Sequence, residues 1–154
     1  MTLQQKRRVY ITVIVFTLAF IWGQSCLSRT QSSAESEIVK GWLEVIFSKD
    51  TPLSRFILTY VRKIAHFTEF GVLGLELCAF TYICTENAYK NKIRAAFFGP
   101  VAAIIDETIQ IFTGRGSSFF DVLIDSSGYF TFSLIFIATV LLIKGIKKGK
   151  IKNV

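Results

Sequence analysis

The chain has 154 residues, of which 51% are hydrophobic and 14% aromatic, with 15 phenylalanines and a formal net charge of +7. That is too much apolar surface for one small soluble core, so the composition points to a single-domain integral membrane protein and away from a soluble enzyme. Nor does the positive balance indicate nucleic acid as a partner, because the basic residues fall in short tracts beside apolar runs rather than over one face.

Four stretches are long and apolar enough to cross a bilayer, at residues 9–27, 64–84, 95–114 and 121–143. Lys6, Arg7 and Arg8 precede the first; Lys90, Lys92 and Arg94 lie between the second and third; Lys144, Lys147, Lys148, Lys150 and Lys152 follow the last. By the positive-inside rule these tracts mark the cytoplasmic side, which predicts a multi-pass cell-membrane protein with both termini inside. Residues 1–8 form the cytoplasmic N-terminus, and 9–27 are read as a retained anchor. The start resembles a signal peptide, but no convincing small-residue cleavage site follows.

Residues 28–63 are predicted to lie outside the cell. Ser32 and Glu35 have capping-box spacing, and Ile38, Val39, Trp42, Val45 and Ile46 then recur at helical spacing, the pattern of an amphipathic helix on the outer leaflet. Thr51-Pro52 reads as a further helix start that runs toward the second span. Residues 64–143 form a three-span core, and 144–154 a basic cytoplasmic tail. Trp22, Trp42 and Tyr60 read as interfacial anchors, and Phe130, Phe132 and Phe136 as faces toward lipid or neighbouring helices. The expected fold is therefore all-α: a four-helix membrane bundle with a short extracytoplasmic amphipathic segment.

Cys26, Cys78 and Cys84 show no CxxC or Cys/His spacing, so neither zinc nor a disulfide framework is assigned, and nothing calls for a cofactor. The chemistry lies elsewhere. Between Asp106 and Asp125 the sequence DETIQIFTGRGSSFFDVLID places four carboxylates, Gln110 and Arg115 where two apolar runs meet. An ionisable residue in hydrocarbon costs about 3 kcal/mol on insertion scales, so this cluster is a candidate functional site.

Helical geometry gathers the polar residues. At about 100° per residue His66, Glu69 and Glu76 share one stripe of the second span. Asp106, Gln110 and Thr113 share one of the third, flanked by Glu107, and Asp121, Asp125 and Gly128 share one of the fourth. Lipid drives the three stripes together. Most of these residues come out in the outer leaflet, with Glu76 and Asp106 near the midplane, so a cavity open to the outer face is expected. Gly71, Gly74 and Gly128 permit close helix approach around it.

A histidine among desolvated carboxylates makes proton transfer available, so His66, Glu69, Asp106 and Glu107 are the candidate catalytic residues. Lys63, Gln110, Arg115, Asp121 and Asp125 are the candidate ligand-binding residues, the two cations being suited to phosphate or carboxylate. The HxxE of His66 and Glu69 and the DxxxD of Asp121 and Asp125 each put potential metal ligands on one face, but the spacing is too loose to assign a metal.

The stretch Lys63, His66, Phe67, the DE-x-x-Q of Asp106, Glu107 and Gln110, then Arg115, Asp121 and the late Gly128 together resemble the VanZ-like family. Its members are small multi-pass proteins associated with glycopeptide (teicoplanin) resistance in Gram-positive bacteria. The resemblance covers roughly residues 60–130. Where asparagine is common in the family's fourth span, this chain has Asp125 or Ser126. The resemblance implies a cell-envelope phenotype rather than a reaction, with a lipid-linked or cell-wall precursor, or the glycopeptide itself, as the ligand class beside the bilayer. It carries no signal of oligomeric state, and the sequence does not decide whether the protein is an enzyme.

Two other classes stand beside the first reading. In one, the protein is a non-catalytic accessory of wall-synthesis machinery that docks through residues 28–63, and the polar cluster only fixes helix register. In the other it is a small transporter, against which the cytoplasmic halves of the third and fourth spans carry almost no polar side chains.

Overall fold

The computed structural model describes the backbone over residues 1–46, 51–84, 88–116 and 118–152, and side chains over the same residues except 88–92 and 147–152. Among the described residues the only regular structure is helical: α1 (Leu3–Ser25), α2 (Arg29–Ile46), α3 (Pro52–Cys84), α4 (Ala88–Phe112) and α5 (Phe119–Lys152). Four of these contain segments long and apolar enough to cross a membrane: Leu3–Ser25, Pro52–Cys84, Ile93–Phe112 and Phe119–Ile146. The protein is a helical membrane protein.

Local chemistry fixes the helix starts. Thr2 Oγ1 accepts from the Gln5 N–H at 3.2 Å while Gln5 Oε1 accepts from the Thr2 N–H at 2.8 Å, a closed capping box for α1. The start of α2 differs from the expected one. Ser28 and Gln31 form the reciprocal cap, with the Ser28 N–H donating to Gln31 Oε1 at 3.0 Å and the Gln31 N–H to Ser28 Oγ at 3.4 Å. Ser32 lies inside the helix and is buried. The α3 helix opens at Pro52, where Thr51 Oγ1 accepts from the Ser54 N–H at 3.1 Å. Its 33 residues span about 50 Å, more than the hydrocarbon thickness, and its geometry breaks at Tyr60 (φ −107°, ψ 18°).

The α3–α5 contact is the most extensive in the molecule, α3 also touches α1, α2 and α4, and α4 completes the bundle against α1 and α5. Gly128 makes the α3–α5 approach possible, because a Cβ there would run into the backbone carbonyl of Phe67. The core consists of Ile14, Ile21, Phe70, Leu73, Ala102, Ala103 and Tyr129. Pro100 interrupts the hydrogen-bond ladder of α4, and in that turn the buried Tyr129 hydroxyl donates to the Ala95 carbonyl. Trp22, partly buried, packs against this core and its Nε1–H donates to the Ala102 carbonyl at 3.4 Å.

The four long helices alternate in direction, which gives the bundle two ends. At one, Arg7 Nε donates to the Cys84 carbonyl at 2.8 Å and ties the start of α1 to the end of α3. The other collects the end of α1, the start of α3, the α4–α5 loop and α2. The α2 helix packs against α3 and leaves Trp42, Val45 and Ile46 exposed at 73%, 88% and 72%. Among the described residues nothing covers this patch.

Candidate functional site

The site is built at the α2 end. Helix α4 supplies Asp106, Glu107 and Gln110, adjacent on one face by their i, i+1, i+4 spacing. All three are buried, at 0%, 5% and 4% exposure. The α4–α5 loop supplies Arg115 between Gly114 (φ 70°) and Gly116 (φ 77°), whose left-handed backbone turns the chain back sharply enough to face Arg115 inward. Helix α3 brings Lys63 and His66, and α5 brings Asp121 and Asp125, one turn apart.

A hydrogen-bond network joins three elements. Ser25 Oγ, at the end of α1, donates to Asp106 Oδ1 at 2.7 Å. Gln110 Nε2 donates to Asp106 Oδ2 at 2.8 Å and to Glu107 Oε1 at 3.0 Å, which uses both amide hydrogens. Glu107 Oε2 accepts from the Ser118 backbone N–H at 3.2 Å, so α4 is fastened to the loop that enters α5. Arg115 Nη1 donates to the Gln24 carbonyl at 2.6 Å, at the open end of α1. Burial, together with the nearby Arg62 charge, pulls the Arg115 guanidinium below its ordinary pKa, while Asp106, Glu107 and Glu35 pull it back up.

Beside this network lies a cavity of about 320 Å³ lined by His66, Glu107, Gln110, Arg115, Asp121 and Asp125, with Arg62 and Lys63 also on its wall. Lys63 Nζ pairs with Asp121 Oδ1 at 3.3 Å, and both side chains are partly exposed. Deeper, His66 Nδ1 stands 3.8 Å from Asp106 Oδ2 and 3.9 Å from Asp125 Oδ1. Asp125 is 1% exposed, and neither of its carboxylate oxygens has a hydrogen-bond partner.

The fold therefore gathers Lys63, His66, Asp106, Glu107, Gln110, Arg115, Asp121 and Asp125. Glu69 is set apart. It lines a second cavity of about 410 Å³ with Gln24, Glu35, Arg62 and Arg115, which meets the first at His66. Glu76 is further removed, accepting from the Thr17 hydroxyl at 2.9 Å. Three participants had no signal in the sequence: Ser25, the Gln24 carbonyl and the Ser118 N–H. A lone serine at the end of an apolar run has no periodicity, and backbone groups have no letter. Arg62, next to Lys63 in the chain, was not singled out by the sequence either.

The model of the family described as VanZ/LLP1 matches residues 9–143, a stretch that holds every one of these side chains. The chain belongs to the VanZ/LLP1 family. No curated protein and no solved structure matches it. In this VanZ/LLP1 protein the motif residues His66, Asp106, Glu107, Gln110, Arg115 and Asp121 come from two helices, a loop and the start of a third helix. All but Asp106 line the one cavity, and Asp106 Oδ2 stands 3.8 Å from His66 Nδ1 on its wall.

The arrangement has a definite chemical character. Cations and Asp121 stand at the wall of the cavity, and the buried carboxylates of Asp106, Glu107 and Asp125 lie deeper beside the His66 imidazole. The wall can recognise an anionic group, and the floor can hold a proton or a cation.

Proposed function

We propose that this VanZ/LLP1 protein binds or modifies a cell-envelope component at the outer leaflet, in a cavity that faces outward, and thereby lowers susceptibility to teicoplanin-type glycopeptides. One observation carries the reading: the 320 Å³ cavity with Arg62, Lys63 and Arg115 beside Asp121, Asp125 and His66. A cluster of charged side chains between membrane helices is costly unless something uses it. The basic tracts at the opposite end of the bundle support termini in the cytoplasm and, with them, a cavity on the outer side. The exposed apolar residues of α2 support its lying on the outer leaflet beside the cavity mouth. A lipid-linked headgroup bearing phosphate fits both features.

The test is binding of a polyprenyl-phosphate lipid to the purified protein in nanodiscs. The wild type binds saturably, and Lys63→Ala weakens binding with a reduced dependence on salt. Equal binding by wild type, Lys63→Ala and Arg115→Gln contradicts the reading.

A second reading has an observation of its own. The bonds from Ser25 to Asp106, from Arg115 to the Gln24 carbonyl and from Ser118 to Glu107 hold α1, α4 and the loop in register. These favour an accessory membrane protein whose polar cluster is structural. On that reading Lys63, which joins no bond across α1 and α4, is dispensable.

A further inference from the structure

Among the described residues that line the cavity, the buried polar atoms without a hydrogen-bond partner are Arg115 Nε and a group that converges on one point. His66 Nδ1 and both oxygens of Asp125 are buried without a hydrogen-bond partner. His66, Asp106 and Asp125, one from each of α3, α4 and α5, offer ligand atoms that all lie within 4.8 Å of one another. Two carboxylates removed from water repel each other, so a positive charge belongs between them.

We propose that His66 Nδ1, Asp106 Oδ2 and Asp125 bind a divalent first-row metal ion of the zinc or manganese class. One imidazole and two carboxylates form a mixed nitrogen and oxygen donor set suited to such ions, and the two negative charges neutralise the ion's +2. Donors bound at about 2.1 Å in tetrahedral geometry lie roughly 3.4 Å apart. The separations from His66 Nδ1 are 3.8 and 3.9 Å and the two carboxylates lie within 4.8 Å of each other, so the three donors close on one ion by side-chain shifts toward it. Three protein ligands leave a coordination position toward the cavity, as in metal sites that accept a water or a substrate oxygen.

The surroundings are those of a metal ligand. Asp106 is oriented by donors on both oxygens, Ser25 at 2.7 Å and Gln110 at 2.8 Å, and Oδ2 keeps a lone pair toward His66. The ligands sit on three packed helices, and Gly128, one turn beyond Asp125, sets the α3–α5 distance that brings His66 and Asp125 together. This ligand set is not the one that the HxxE and DxxxD spacings offer. Glu69 faces the second cavity, and Asp121 is paired with Lys63. The site does not depend on the envelope reading, because it requires only these three side chains.

The test uses the full chain, purified in detergent with any affinity tag removed, stripped with chelator and titrated with Zn²⁺ and with Mn²⁺. Binding is read by metal content after desalting and, for Mn²⁺, by loss of the free-ion electron paramagnetic resonance signal. The expected result is one ion per chain and a melting temperature that rises on reloading. Asp125→Asn and His66→Ala each weaken binding more than about tenfold, while Glu76→Gln, a carboxylate elsewhere in the bundle, leaves it unchanged. Should Asp125→Asn fail to fold, His66→Gln replaces it, with monodisperse elution as the criterion of folding. No binding of either ion by the wild type overturns the proposal, as does stoichiometric binding that survives both substitutions.

Discussion

The hydroxyl of Ser25, the last residue of α1, donates to Asp106 Oδ1 at 2.7 Å, and both side chains are fully buried. Asp106 is also held by Gln110 from its own helix, at 2.8 Å. The first span therefore does more than anchor the chain, because it supplies a donor to the central carboxylate of the site. A carboxylate with both oxygens engaged keeps one orientation, and that orientation points Oδ2 toward His66.

Ser25→Ala removes this donor and leaves Asp106 Oδ1 buried without it. The expected cost is about 1–3 kcal/mol of stability, seen as a lower melting temperature of the purified protein in detergent. An unchanged melting temperature would mean that water or another group replaces the hydroxyl.

The α3–α5 crossing makes a sharper test of packing. A Cβ at Gly128 meets the Phe67 carbonyl, whereas one at Gly23 has nothing within 4 Å. Gly128→Ala should destabilise by about 1–3 kcal/mol because backbone, not a movable side chain, must give way. Gly23→Ala should be neutral or stabilising by up to about 1 kcal/mol, from helix propensity alone. Thermal denaturation of the two variants side by side checks both, and a reversed order would contradict the described crossing.

Orientation can be read from native cysteines. Cys26 is exposed at the α2 end, while Cys84 is buried at the opposite end. With the termini inside, a membrane-impermeant maleimide added to intact cells labels Cys26, and Cys26→Ser abolishes that labelling. Labelling of Cys26 only after permeabilisation would place the cavity on the cytoplasmic side.

Much of this architecture was legible because lipid makes helical stripes informative. His66, Asp106, Gln110, Asp121 and Asp125 each lie on a polar face flanked by apolar residues, and bringing the helices together turns all these faces away from lipid. Their exact partners were not legible. Glu69 lies one turn from His66, yet lines only the second cavity, while His66 lines both. Ser32 and Glu35 had the spacing of a cap, but Ser28 and Gln31 form one instead and α2 begins a turn earlier. Two polar residues three apart recur often in this segment, and spacing alone does not rank them. The Ser25 contribution needed the tertiary structure, because it links residues 81 positions apart.

The central claim is that the cavity at the α2 end is a working site rather than a brace. Its most direct test is teicoplanin susceptibility of a sensitive Gram-positive host expressing the wild type, Lys63→Ala or Asp125→Asn, with membrane abundance matched across the strains. The account predicts that the wild type lowers susceptibility and that both variants, at equal abundance, lose most of that protection. Protection by both variants equal to the wild type, or no protection by the wild type itself, would contradict it.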